Sequence, residues 1–266
     1  MTSSWFVLVE SNTTGSGRLF CHRARDLGLR PVLLARDPGR YPYVSEDGID
    51  AVVTDTADPA ALLAACRALG PPIAGVTSSS EYYIATAADL AAALGRPHPD
   101  GVAIRACRDK HTQRTRLRQA GVPGPRFEAA STPGEAVSAA GRIGYPVVVK
   151  PVSGSGSIGT RRCADAGEVA GAAAYVLDTD PAELALPPQA AVLVEEYLAG
   201  GEYSVETLGG QVVGVTRKHL GPEPYFVEIG HDFPAPLPVA DRAALCDAAL
   251  AALRALGLGW GGAHVE

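Results

Sequence analysis

The sequence of 266 residues has few cysteines, and the five that it has lie far apart. They stand at positions 21, 66, 107, 163 and 246, without a Cys-x-x-Cys pair or a Cys/His cluster. This spacing argues against a zinc site and against a disulfide scaffold, and it is typical of a protein from a reducing, cytoplasmic environment.

Long apolar runs and an excess of basic residues are lacking as well. No stretch approaches the roughly 20 apolar residues that a membrane-spanning helix needs, and the N-terminus lacks the basic and apolar regions of a signal peptide. A net charge of −6 gives no overall attraction to nucleic acid or to anionic lipid. We therefore expect a cytoplasmic protein whose partners include neither nucleic acid nor a membrane.

The first hundred residues alternate between strand-like and helix-like patterns. Apolar runs cover residues 5–9, 31–35, 51–54 and 73–77, and helical patterns cover roughly 17–28, 59–69 and 80–94. Asp58 is the expected N-cap of the second helix and Ser80 that of the third. The alternation predicts an α/β fold with a parallel sheet covered on both faces.

A turn-rich break at residues 95–101 follows, and we place a domain boundary near residue 105. Beyond it the order of elements is less regular. Helices are expected near 109–120, 133–141, 165–177 and 240–256, strands at 145–150, 191–196 and 262–266, and a β-rich stretch with a Gly-Gly hairpin turn over 202–233.

A glycine- and serine-rich loop, residues 153–159, follows the strand that ends in Lys150-Pro151. Small residues let backbone N–H groups approach an anion closely, and a lysine at the loop mouth can hold a phosphate. The loop spells Gly-x-Gly-x-x-Gly, but residues 160–163 are typical of a returning strand rather than of the helix of a dinucleotide site, and no lysine follows the last glycine as in a P-loop. A phosphate-covering flap and a flexible hairpin loop remain as alternatives.

Acidic residues follow the apolar strand at 191–196, and Glu202 stands four residues beyond Leu198. A strand edge can offer a backbone donor and a backbone acceptor to an adenine base, and a carboxylate can accept both ribose hydroxyls. An exposed strand end with solvated acids is the alternative interpretation.

Two further positions combine charge with a special place in the chain. Lys110 falls in the first turn of a helix that Asp109 would cap, where a cation is unfavourable unless an anion neutralises it. Glu266 offers an oxygen ligand suited to Mg²⁺, which usually takes one or two carboxylates and substrate phosphates. His264, two positions earlier on the same strand, shares the face of Glu266. A solvated lysine and a structural histidine are the alternatives.

Two segments carry polar residues whose role depends on their surroundings. The stretch Asn12–Gly17 joins the first strand to the first helix, and helix N-termini in such units bind anions. A tight turn that needs glycine explains the same residues. The β-rich stretch contributes Arg217, Lys218, Glu228 and His231, whose register cannot be read from the sequence.

In this order along the chain, the segments resemble the ATP-grasp superfamily. The resemblance is carried by Arg108-Asp-Lys110, Val147-Val-Val-Lys150-Pro, the loop 153–159, Val194-Glu-Glu-Tyr-Leu198 and Glu202. The segments 75–83, 202–206, 228–231 and 262–266 look like its carboxylate–amine ligase branch, the amino-acid ligase type. The resemblance spans nearly the whole chain.

The resemblance implies a Rossmann-like pre-ATP-grasp domain over residues 1–105 and an ATP-grasp domain over 106–266. Two α+β subdomains, about 106–190 and 191–266, would clasp ATP with Mg²⁺ between them. The implied reaction passes the γ-phosphate of ATP to a carboxylate, and an amine then attacks the acyl phosphate to give an amide, ADP and phosphate. The implied partners are a small-molecule carboxylate and an amine, and a homodimer is a family expectation.

The resemblance also implies a role for individual residues. Lys110 and Lys150 would contact the nucleotide phosphates, Glu202 would hold the ribose, and Glu266 would be the first Mg²⁺ ligand. The flap would consist of Ser153, Gly154, Ser155, Gly156, Ser157, Ile158 and Gly159. Adenine would be met, largely through backbone groups, by Glu195, Glu196, Tyr197 and Leu198. Lys218 and His231 would contact phosphate or carboxylate as catalytic residues.

Family members continue after this first metal glutamate with a strand that carries Glu-x-Asn, whereas the sequence stops at Glu266. We therefore expect an incomplete second subdomain with an unprotected sheet edge and a catalytically poor polypeptide. A non-catalytic ATP-binding module, acting as a nucleotide sensor or scaffold, is the alternative function. A purine-precursor or biotin-carboxylating ligase fits less well, because such relatives lack the motifs at 202–206 and 263–266.

Overall fold

The chain folds into two compact units, Met1–Ile104 and Arg105–Glu266, in the computed structural model. The structure describes residues 4–13, 15–70, 72–180 and 189–266. The first unit alternates strands and helices in the order β1 (Trp5–Val9), α1 (Ser16–Asp26), β2 (Arg30–Ala35), a short 3-10 turn (Pro38–Arg40), α2 (Tyr43–Glu46), β3 (Asp50–Val53), α3 (Pro59–Ala68), β4 (Ile73–Thr77) and α4 (Ile84–Ala93).

The sheet of the first unit is parallel throughout, with the strand order β3-β2-β1-β4. Successive side chains of β1 enter opposite cores, as the two-residue period of a strand requires. Val7 packs in one cluster with Leu62 of α3, and Leu8 packs in another with Cys21 of α1. The predicted parallel sheet with both faces covered is thereby confirmed.

One of the two helix caps expected in the first hundred residues differs from the prediction. Asp58 caps α3 as expected, since its carboxylate accepts the N–H of Ala60 at 2.9 Å. Ser80 does not cap α4, which begins at Ile84. The backbone N–H of Ser80 bonds instead to the hydroxyl of Ser78 at 3.0 Å, so that the serines form a turn before the helix.

An additional helix, α5 (Gly101–Arg108), spans the boundary between the units and was not predicted. The Gly- and Pro-rich break that precedes it obscured a pattern of only eight residues. Asp100 provides its start, because the Asp100 carboxylate accepts the N–H of Val102 at 2.8 Å.

The second unit contains two antiparallel four-stranded sheets, here called the loop sheet (β5-β8-β6-β7) and the acidic sheet (β11-β10-β9-β12). Together with the parallel sheet they confirm the mixed α/β and α+β fold class. The elements are α6 (Lys110–Gln119), β5 (Phe127–Ala130), α7 (Pro133–Ile143), β6 (Val147–Pro151), β7 (Arg161–Cys163), α8 (Ala166–Asp178), β8 (Val192–Glu196), β9 (Glu202–Leu208), β10 (Gln211–Leu220), β11 (Glu228–Asp232), α9 (Val239–Leu256) and β12 (Gly262–Val265).

Each antiparallel sheet has one apolar face packed on helices. Val149 and Val194 of the loop sheet join Ala173 of α8 in its core, and Val205 of the acidic sheet packs with Ala249 of α9. The opposite face of each sheet is left to carry polar side chains, as is common in antiparallel sheets. None of the helices in the described ranges has the length and apolar character needed to cross a membrane.

Candidate active site

The loop after Lys150 joins two antiparallel strands. In the β6–β7 pair Val147 lies opposite Cys163 and Val149 opposite Arg161, so the predicted hairpin is confirmed. Backbone φ angles are positive at Gly154 (129°), Gly156 (67°) and Gly159 (71°), which only glycine adopts without strain. These residues let the chain reverse tightly while its backbone stays accessible to an anion.

Gly159 has closer neighbours than Gly156 of the same loop, where an added Cβ would meet nothing within 4 Å. A Cβ atom there would lie 3.0 Å from Cγ of Pro151 and 3.1 Å from Cγ2 of Val176. We expect Gly159→Ala to lower the free energy of unfolding by about 1–2 kcal/mol, because the positive φ is strained for alanine. Gly171→Ala in α8, where the new Cβ would meet nothing within 4 Å, is the control and is expected to stabilise by about 0.5–1 kcal/mol. Urea denaturation measures both, and equal effects of the two variants would contradict the prediction.

Lys110 lies at the start of α6 and reaches the loop. Asp109 caps the helix as predicted, by accepting the N–H of Thr112 at 2.6 Å. The backbone N–H of Lys110 donates to the carbonyl of Val152 at 2.8 Å, and its Nζ donates to the carbonyl of Gly154 at 2.7 Å. Burial, reinforced by the charges of Lys150 and Arg108, lowers the pKa of Lys110 to about 8. This ammonium group is therefore costly to keep charged without an anion.

Lys150 shares a buried carboxylate with an arginine. Glu195, at the centre of the loop sheet, is only 4% exposed. Its Oε1 accepts from Nε of Arg114 at 2.7 Å, and its Oε2 forms an ion pair with Lys150. Burial acts to raise the pKa of Glu195, but Lys150 and Arg114 hold this pKa below its usual value. Burial lowers the pKa of Lys150, and Glu195 opposes that shift.

The polar face of the acidic sheet brings together residues from four strands. The register sets Lys218 of β10 opposite Glu202 of β9 and opposite His231 of β11. It also sets His264 of β12 opposite Glu206 of β9. Because directly opposed residues of an antiparallel pair point to the same face, these side chains form one charged surface.

Lys218 lies buried within that surface, between two carboxylates. It forms ion pairs with Glu228 and with Glu266. Burial acts against its charge, but these two carboxylates raise the pKa of Lys218. Burial raises the pKa of the neighbouring Glu202, and the charges of Lys218 and Lys150 oppose this shift. Lys218 belongs to the acidic sheet and Lys150 to the loop sheet, so charges of both sheets act on Glu202.

His264 links Glu266 to a second acid, as the shared strand face predicts. Its Nε2 lies 3.3 Å from Oε1 of Glu266, and its Nδ1 lies 3.0 Å from both oxygens of Glu206. Glu206 also accepts from the hydroxyls of Ser204 at 2.8 Å and Thr216 at 3.2 Å. The imidazolium therefore lies between the carboxylates of Glu206 and Glu266, and each carboxylate has further hydrogen-bond or ion-pair partners.

The His264–Glu266 pair makes stability depend on pH. The hydrogen bond with Glu266 raises the pKa of His264 from 6.5 to about 9, and that with His264 lowers the pKa of Glu266 from 4.5 to about 2. Stability from the histidine is complete below pH 6.5 and is lost as the pH rises through about 9. Stability from the glutamate is present above pH 4.5 and is lost as the pH falls through about 2.

We therefore expect the urea midpoint of the wild type to fall between pH 6 and pH 10 by more than that of His264→Gln. Both side chains are more than half exposed, 53% and 59%, and solvent screening limits the difference to about 0.2–1 kcal/mol. His98→Gln, an exposed histidine of the first unit, is the control and should follow the wild type. Identical pH profiles for the wild type and His264→Gln would show that the pair contributes nothing.

The remaining predicted site residues are placed as follows. Glu196 points away from Glu195 and pairs with Arg126 at 3.1 Å, as the alternation of a strand requires. The hydroxyl of Tyr197 donates to Glu223 at 2.8 Å, and Leu198 is exposed. His231 is half exposed and lies 2.9 Å from Oε2 of Glu228. Glu228 also pairs with Lys218, so His231 belongs to the same cluster. The structure brings Lys110, Lys150 and Glu195 together with the loop, and Lys218, His231 and Glu266 together on the acidic sheet.

A magnesium ion would find one carboxylate here rather than a complete protein cage. Within residues 4–13, 15–70, 72–180 and 189–266, no group of three or more His, Cys, Asp or Glu side chains could hold a metal. Glu266 contacts two cationic side chains, those of Lys218 and His264. This donor set fits Mg²⁺ only where phosphate oxygens supply further ligands, which is the usual way that proteins bind this ion beside a nucleotide.

Sequence reasoning missed Arg114 and did not assign Glu206 a role. A compositional signal was available for the site as a whole, because the chain has only three lysines among its 23 lysines and arginines. They are Lys110, Lys150 and Lys218, and each lies in one of the clusters described above. Arg114 stands four residues after Lys110, which puts it on the same face of α6.

Comparison with known proteins finds a family match within the second unit. Residues 143–266 match the family described as the ATP-grasp domain. The chain is 30% identical over 155 residues to a D-alanine–D-alanine ligase of Pseudomonas fluorescens, covering 54% of this chain and 44% of that protein. It is 39% identical over 262 residues to the uncharacterized protein y4rH of Sinorhizobium fredii, covering 98% of this chain and 54% of that protein.

The fold is shared with the L-amino acid ligase from Bacillus licheniformis, at a TM-score of 0.74 and 24% identity, over 98% of this chain and 62% of the ligase. Residues 143–266 therefore form an ATP-grasp domain, and the sequence relatives of the chain include D-alanine–D-alanine ligases. It spans about half the length of the curated relatives named above, 54% and 44%.

Proposed function

We propose that this chain binds ATP in an ATP-dependent ligase that activates a carboxylate for attack by an amine. One observation carries the proposal: Lys150 and Arg114 share the single carboxylate of Glu195, and Lys110 contacts the glycine-rich loop that follows Lys150. In the described part of the chain Lys110 forms no ion pair, and its ammonium contacts a loop carbonyl. Such an excess of desolvated positive charge is favourable when a polyphosphate neutralises it.

Different residues would bind the phosphates, the base and the ribose of the nucleotide. Lys110, Lys150 and the backbone amides of residues 153–159 would bind the phosphates, and the strand end at residues 195–198 would meet adenine. Glu202 would accept the ribose hydroxyls. Its pKa is raised by burial, and neighbouring carboxylates add to the shift, so two neutral hydroxyl donors suit it better than an additional anion would.

Residues of the acidic sheet would bind the part of the substrates at which phosphoryl transfer takes place. Glu266 would hold Mg²⁺ on the phosphates, where the metal supplies neutralisation of developing charge. Lys218, buried beside Glu228 and Glu266, and His231 would orient the carboxylate or the transferred phosphoryl group. Phosphoryl transfer asks a protein for positioning and charge stabilisation rather than for a covalent nucleophile, which suits this set of side chains. A cytoplasmic, homodimeric enzyme with small-molecule substrates is part of the proposal.

Two measurements test the proposal in sequence. Isothermal titration calorimetry of the chain with Mg·ATP is expected to give saturable binding, and adenosine alone is expected to bind more weakly. A coupled assay for ADP release, run over pairs of amino acids with and without the amine component, tests the ligase. Amine-dependent ADP release with an amide product in the mass spectrum supports it. Binding without release for any pair favours a nucleotide-binding module, and a folded chain that does not bind ATP overturns the nucleotide site.

A further inference from the structure

Arg114 and Lys150 approach the two oxygens of one carboxylate from different elements. Nε of Arg114, on α6, is 2.7 Å from Oε1 of Glu195, whereas Lys150, on β6, pairs with Oε2. Glu195 belongs to β8, which is bonded to β5 on one side and to β6 on the other. The carboxylate is therefore fixed in the middle of a sheet, and the two cations must come to it.

The cluster of Lys150, Arg114 and Glu195 carries a net positive charge, and this charge is what an anionic ligand would meet. Lys150 and Glu195 alone would form a neutral buried pair, and the low dielectric of the interior would hold the ammonium on the carboxylate. Arg114 on the other oxygen leaves the cluster with one net positive charge. A guanidinium stays charged at every pH at which a protein is folded, so this compensation is permanent.

We infer that Arg114 is a positioning residue for Lys150: by occupying one oxygen of Glu195, it leaves the Lys150 ammonium able to bind a nucleotide phosphate. This inference rests on the proposed function. Arg114 itself needs no contact with the nucleotide for it, because its partner is Glu195.

The position of Arg114 is determined by the start of its helix. Asp109 caps α6, and the N–H of Lys110 bonds to the carbonyl of Val152, immediately after the strand that carries Lys150. One turn later, Arg114 faces the loop sheet with its side chain 25% exposed. The guanidinium also donates to the side-chain carbonyl of Gln113 at 3.1 Å. Helix and strand are thus tied together next to the shared carboxylate.

The test compares Arg114→Gln, Arg114→Lys, Lys150→Ala and the double variant Arg114→Gln/Lys150→Ala in binding of ATP and of adenosine. Glutamine can still donate a hydrogen bond to Glu195 but carries no charge. We expect Arg114→Gln to weaken ATP binding about tenfold, the difference between a neutral and a charge-assisted contact, and to leave adenosine binding unchanged. Arg114→Lys is expected to retain most of the affinity. The double variant leaves the buried carboxylate of Glu195 without a cation, so it is measured at a temperature at which circular dichroism shows it to be folded. Under these conditions Arg114→Gln is expected to add no further loss of ATP affinity to that of Lys150→Ala.

A second measurement is independent of nucleotide. Because the chain has three lysines, ¹³C-lysine labelling gives three side-chain signals that Lys110→Arg, Lys150→Ala and Lys218→Arg would assign. Loss of the arginine charge is expected to move the titration of Lys150 to higher pH in Arg114→Gln. Arg116→Gln, on the same helix, is the control and should leave the titration of Lys150 unchanged.

Three results would overturn the inference while the proposed function stands. They are an equal loss of ATP and adenosine affinity in Arg114→Gln, an undiminished effect of Arg114→Gln in the Lys150→Ala background, and an unchanged Lys150 titration. Wild-type protein that is folded and does not bind ATP would instead overturn the proposed function, and the inference with it.

Discussion

Replacing Lys150 with alanine is expected to lower the affinity for ATP about 10- to 100-fold while the protein stays folded. The loss corresponds to one charge-assisted contact with a phosphate, about 1.5–3 kcal/mol. Folding is expected to survive because Arg114 remains on Glu195, at 2.7 Å, so that the buried carboxylate keeps a cation.

The measurement is calorimetric titration with ATP, ADP and adenosine. The loss should be large for ATP and small for adenosine, since adenosine carries no phosphate for the Lys150 ammonium and the base is proposed to meet residues 195–198 largely through backbone groups. Arg142→Gln, which breaks an exposed pair with Glu128, is the matched loss of a cation and should bind ATP like the wild type. Unchanged ATP affinity in folded Lys150→Ala would remove the basis for the phosphate site.

Glu195→Gln is expected to cause the largest loss of stability of the variants considered, about 3 kcal/mol. The substitution leaves Lys150 and Arg114, with side chains 14% and 25% exposed, next to each other without the carboxylate that compensates them. Breaking a buried ion pair by removing one partner costs this much because the remaining charge stays desolvated. For a unit of this size the loss corresponds to a Tm lower by roughly 6–12 °C.

Differential scanning calorimetry with and without ATP measures the effect and its cause together. ATP should raise the Tm of Glu195→Gln, because a bound polyphosphate replaces the missing negative charge. Glu196→Gln removes the adjacent carboxylate, whose partner Arg126 lies at the surface, and its Tm should stay close to that of the wild type. Equal Tm values for the two variants would show that the Glu195 cluster is not a buried charge centre.

Local patterns were enough to predict much of the framework. Alternating apolar runs in the first hundred residues predicted the parallel sheet, and the small residues after Lys150 predicted the hairpin between β6 and β7. The caps Asp58 and Asp109 were predicted because capping is a contact between neighbours in the chain. The helix α5 was missed, since eight residues next to a Gly- and Pro-rich segment carry too little periodicity.

The roles assigned to single site residues remain predictions. What the structure adds is their surroundings: Glu195 is buried with two cations, Glu196 is turned outward, and Lys218 lies between Glu228 and Glu266. None of these differences can be read from adjacent letters such as Glu195-Glu196, because successive strand residues face opposite sides of a sheet and the register decides which of them faces the cations.

The sequence by itself determined the fold class, the glycine-rich loop and the lysines that stand beside it, because these depend on periodicity and on residues close together in the chain. Only the tertiary structure decided which charges meet. Arg114 and Glu195 are 81 residues apart, and His264 is 58 residues from Glu206. Such pairs depend on the strand register and on the face of the sheet to which each side chain points. Within β10 the register shifts between Val212 and Gly214. The net charge around Lys150 follows from these long-range contacts.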